Sequence, residues 1–217
     1  MMKKFLMTWI IFFCLSANCE GAILEKGESV AVMDFGLLKD VMEENLLLDN
    51  TIIADYFIER LVEIKYFNVV DREQFTEKFQ EQNLKVVGLI DTDNAKKIGE
   101  ILGVRYLIYG NVTDVSLDEE NFAFQDNFVA VNKVKARVTA RIIDVESGKI
   151  LMAAKGEGKS ESALVNLDDK ISITLGTKKV SQAAVHNALK KAAFQSAEIL
   201  IERLSGSKID RLFDKNK

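Results

Sequence analysis

The sequence predicts an α/β fold: a mixed sheet with packed helices in the order β-α-β-α-α-β-β-β-α, a single domain with long β-hairpin extensions. Three observations predict it. Ser29–Phe35 is a compact apolar run of strand length. Two amphipathic helical patterns follow, each running into a short strand. Finally, Val134, Ala136, Val138, Ala140 and Ile142 alternate with Lys133, Lys135, Arg137, Thr139 and Arg141, the period of an antiparallel strand with one buried and one wet face.

Along the chain, Gly36–Leu48 reads as a loop, and Asp49 or Asn50 as the cap of a helix whose buried stripe is Ile53, Phe57, Leu61 and Ile64. Tyr66–Val70 is a second strand. Asp71 caps a further helix with Phe75 and Phe79 on one face. The helix Asn94–Leu102 stops at Gly103, which takes a left-handed cap conformation without steric cost. Val104–Val115 is the next strand, and Glu146–Lys149 turns the alternating strand into Ile150–Ala154. From Val180 to Leu204 the apolar positions Val185, Ala188, Leu189, Ala192, Leu200 and Leu204 form a long helix, whose alanines allow close approach to a sheet.

The chain has 217 residues, 48% hydrophobic and 29% charged, with no Pro and a formal charge of −4. That is globular composition for one domain, and its acidity argues against nucleic acid as the partner. Residues 1–22 read as a signal peptide, with Lys3 and Lys4 before the apolar run Phe5–Leu15. That run is shorter than the ~20 residues a spanning helix needs. Ser16-Ala17-Asn18-Cys19 resembles a lipoprotein signal that would make Cys19 the lipidated first residue; cutting near Gly21 or Ala22 would leave an unmodified protein. Either way Cys14 departs, and no disulfide framework remains. Residues 23–206 form the domain and 207–217 a charged tail.

No catalytic, cofactor-binding or metal-binding residue emerges, and no small-molecule substrate is expected. The single His, His186, has no nucleophile or ligand partner in a motif and is placed on the solvated or flanking side of its helix. Gly156-Glu-Gly-Lys-Ser160 looks like the tail of a phosphate loop, but Ala153 occupies the first Gly position and strand-like sequence follows. The acid clusters Glu43-Glu44, Asp118-Glu119-Glu120 and Asp168-Asp169 lack calcium-loop spacing. The row Lys133, Lys135, Arg137 and Arg141 is either a partner surface or, the simpler alternative, a solvated sheet face.

Four segments carry a resemblance to a known family: Val30–Phe35, Phe67–Phe75, Leu102–Asn111 and Val138–Leu151. In order and spacing the chain resembles, from Ser29 to Leu204, the CsgG-like family, the outer-membrane component of curli secretion. The lipoprotein activator of penicillin-binding proteins shares the domain type. The resemblance implies an exported, non-enzymatic envelope protein, periplasmic and outer-membrane-associated, forming homo-oligomers and contacting envelope or secreted proteins. Its action would be secretion or assembly of surface structures; the alternative is a periplasmic lipoprotein that docks on and activates an envelope enzyme such as a peptidoglycan synthase.

In the family's pore-forming members two hairpins per subunit insert, and a ring of subunits closes a barrel. Two regions answer to those hairpins. Asp114–Asn132 turns near Asp126-Asn127 and carries Phe122, Phe124 and Phe128, although Asp114–Glu120 places acids on both faces. Ser160–Thr177 carries Val165, Leu167, Ile171 and Ile173, on arms shorter than the ~9–11 residues of a spanning strand.

Overall fold

Val30 and Val32 face one side of the first strand and Ala31 the other, and all three are fully buried, so this strand lies at the centre of a three-layer structure. The computed structural model describes residues 24, 26–37, 50–72, 92–124, 127–166 and 182–206. Its elements are β1 (Ser29–Val32), β2 (Gly36–Leu37), α1 (Asn50–Ile64), β3 (Asn68–Val69), α2 (Thr92–Leu102), β4 (Tyr106–Phe124), β5 (Asn127–Asp144), β6 (Ile150–Asn166) and α3 (Gln182–Ser205). The sheet order is β3-β1-β4-β5-β6, with β2 pairing beside β1 on β4. β1 runs parallel to β3 and β4, while β4, β5 and β6 form an antiparallel meander.

Two cores flank the sheet. On one face α1 and α3 bury Ile53, Phe57, Leu61, Leu189 and Leu200 against Val32, Tyr106 and Val138. On the other, α2 packs Ala95 and Ile98 on Ala31, Leu107 and Ile143. The predicted α1 stripe faces the core, and Gly103 and Gly148 adopt φ of 66° at their cap and turn.

α3 approaches β6 unusually closely because β6 presents glycine. A Cβ at Gly158 would lie 1.9 Å from the Ala188 carbonyl oxygen, and one at Gly156 would lie 2.0 Å from that of Ala192. Gly156–Ser160 is therefore a stretch of strand beneath a helix, with no helix starting at Ser160. The helix also satisfies the outer edge of β6. Gln195 Oε1 accepts from the Glu157 N–H at 2.6 Å, while Lys191 and Arg203 donate to the carbonyls of Lys159 and Ala153 at 3.0 and 2.7 Å. An open strand edge is a template for adventitious pairing, and here side chains occupy it.

Between the helices, Arg60 pairs with Glu198 at 2.7 Å, the two side chains only 8% and 3% exposed. His186, half-buried on the flank of α3, meets the Tyr56 hydroxyl at 3.3 Å through Nδ1.

Three strand readings change. Gly36–Leu37, within the expected loop, pairs with Asn111 and Val112 of β4. β4 does not stop near Val115 but runs through the acidic stretch to Phe124, with one register shift between Val112 and Asp114. β6 likewise continues past Ala154 to Asn166. Cross-strand pairing in a meander extends each strand as far as its neighbour reaches, a constraint outside any single segment's pattern. The expected helix with Phe75 and Phe79, residues 1–22 and 207–217, and Leu167, Ile171 and Ile173 lie outside the described residues.

Gly158→Val should destabilise the protein by about 3 kcal/mol, since the clash is with helix backbone; urea unfolding measures it. Arg60→Ala should cost about 3–5 kcal/mol by stranding Glu198, whereas Arg60→Met combined with Glu198→Leu should be nearly neutral.

Candidate functional site: a three-stranded arm

Past the N-terminal end of α3, the sheet continues as an arm of three strands. β4 and β5 pair up to Phe124 opposite Asn127, and β5 pairs with β6 up to Phe128 opposite Asn166. The first candidate hairpin region and the described part of the second, Ser160–Asn166, share one sheet: Phe122 pairs with Val129, which pairs with Val165. The portion beyond Asp118 extends roughly 20 Å at about 3.3 Å per residue.

The two faces of this arm change character along its length. Nearer the body, Leu117, Val115, Val134 and Ala136 belong to the core under α3. The opposite face carries the cross-strand rows Asp114–Arg137–Glu157, Ser116–Lys135–Lys159 and Asp118–Lys133–Glu161. Farther out, that same face continues as Glu120–Val131–Ala163, Phe122–Val129–Val165 and Phe124–Asn127. The α3 side continues as Glu119–Asn132–Ser162, Asn121–Ala130–Leu164 and Ala123–Phe128–Asn166. Of the acids in Asp114–Glu120, only Glu119 shares the α3 side. Beyond Glu120 apolar residues stand at both register parities, Ala123, Phe128, Ala130 and Leu164 at one and Phe122, Val129, Val131, Ala163 and Val165 at the other.

The cationic row is largely engaged. Lys133 Nζ lies 2.7 Å from Glu120, and Arg137 sits between Asp114 at 3.4 Å and Glu157 at 2.9 Å. The hydrogen bond from Arg137 holds the Glu157 carboxyl below the usual carboxylate range, and the one to Glu120 raises the Lys133 ammonium. Lys135 stands beside Lys159 in register. Arg141, nearer the body, lies close to Tyr109, whose hydroxyl is raised by burial and lowered in part by that guanidinium. The pairs Lys133–Glu120, Arg137–Asp114 and Arg137–Glu157 compensate one another at the surface, whereas Lys135 and Lys159 bring like charges together.

Elsewhere, an open cleft lies between α2 and the β5–β6 turn, lined by Lys96, Gly99, Glu100, Arg105, Val145 and Glu146. Its charges are mixed and converge on no point. Among the described residues, no group of His, Cys, Asp and Glu is placed to hold a metal ion. No helix among them is long and apolar enough to cross a membrane, which leaves strands unaddressed. Cys19 lies outside the described residues.

A polar cluster escaped the sequence reading. Arg72 donates to the Thr51 carbonyl and to Asp55, each at 3.0 Å, and pairs with Asp34. Phe35 lies over Gly110, where a Cβ would come within 2.7 Å of its ring. Asp144 accepts from the Ser147 N–H and hydroxyl at 2.7 and 2.8 Å, closing the turn at Gly148. Each contact joins or closes one of the four segments behind the family resemblance. Those segments encode the junctions of the fold, and the only sequence signal was that charged residues recur inside otherwise apolar runs.

These contacts define a class of fold: an α/β domain whose sheet runs on past its helices as a three-stranded arm. The family model described as "Curli production assembly/transport component CsgG" matches residues 49–216, and the chain belongs to that family. The search of curated proteins finds no match. Solved structures similar to this chain include the LpoB C-terminal domain from Escherichia coli, at 16% identity over 70% of this chain and 93% of that one, TM-score 0.43. Lipoprotein GNA1162 from Neisseria meningitidis matches at 18% identity over 62% and 84%, TM-score 0.45. A PelC dodecamer from Paraburkholderia phytofirmans matches at 14% over 80% and 92%, TM-score 0.37. With scores this low, the family model alone identifies the chain.

Because the folded-state pKa of Glu157 is depressed, its contribution to stability is present above the usual carboxylate range and lost as pH falls through the folded value. The stability deficit of Glu157→Gln should accordingly shrink on acidification; a deficit independent of pH would contradict the Arg137 pairing.

Proposed function

We propose that this chain is an exported, non-enzymatic envelope protein, associated with the outer membrane, that acts by assembly and binding in the secretion or building of surface structures. Membership in the CsgG family supports this reading, and so does the apparent export signal at residues 1–22. The observation that carries it is the arm. The strand register brings Phe122, Val129, Val131, Ala163 and Val165 into adjoining cross-strand rows. Clustered apolar positions at the end of a sheet favour a contact role, and we propose this end as the contact surface.

Contacts between copies of this chain are the first expectation, giving a ring as in the family's pore formers. A spanning barrel is the stronger form. The bilayer's hydrocarbon core is about 30 Å thick, so the apolar rows on the described part of the arm cover only part of that depth. A second reading, a regulatory lipoprotein that docks on an envelope enzyme such as a peptidoglycan synthase, is favoured by the entry of the chain at the end of the sheet away from the arm.

Detergent extracts of the full-length protein should contain large closed particles by negative-stain imaging and light scattering. Val129→Glu combined with Val165→Glu should reduce them to monomers without changing the far-ultraviolet circular dichroism. A wild-type protein that is monomeric at all concentrations, and recovered in the soluble periplasmic fraction, would contradict the assembly reading.

A further inference from the structure

We draw no further inference here: the strongest candidate, the Arg141 guanidinium beside Tyr109 on the sheet face opposite α3, buries Nη1 without a hydrogen-bond acceptor among the described residues, and nothing in the structure shows what covers it.

Discussion

The approach of α3 to β6 is the constraint on which the other features depend. Gly156 and Gly158 remove the side chains that would hold the helix away, and Ala188, Ala192 and Ser196 do the same from the helix side. Helix backbone then rests on strand backbone, and longer side chains from the helix flanks reach the edge of β6. That contact closes one edge of the meander with protein groups and stiffens β5, which lies between β4 and β6. The arm projects from a platform whose outer edge is already occupied, so its extension along the strands needs no further support from the helices.

Charge and polarity are distributed to suit such a projection. The buried pair Arg60–Glu198 stitches α1 to α3, with the Arg60 guanidinium also 5.9 Å from the Phe194 ring. Such a pair adds little net stability but disfavours other relative placements of the two helices. On the sheet surface opposite charges neighbour one another in the rows through Arg137 and Lys133, as on a solvated face, while Lys135 and Lys159 stand side by side.

Much of the body was legible in the sequence, because its signals are local. The stripe in α1, the alternation in β5 and the glycines at positions 103 and 148 each follow from their own segment's period or φ requirement. The arm was legible in composition but not in form. Asp114–Glu120 is a poor strand by propensity, and only its pairing with Val131–Arg137 makes it one. β2 was missed for the same reason, since two residues carry no period. Nor did the sequence reveal why Gly156 and Gly158 are glycine, as the helix that requires it lies some thirty positions later in the chain, and a phosphate-loop fragment is the nearest local pattern. His186 has its partner on α1, a contact no periodicity foretells.

The central claim is that β4, β5 and β6 form one continuous, rigid sheet from the body to the arm tip. Amide hydrogen exchange on the mature protein measures this most directly. In β5, which is paired on both sides, the amides from Phe128 to Val138 should all exchange slowly and with closely similar protection. Protection that collapses beyond Val134, with Phe128–Lys133 exchanging at the rate of an unstructured chain, would contradict the account.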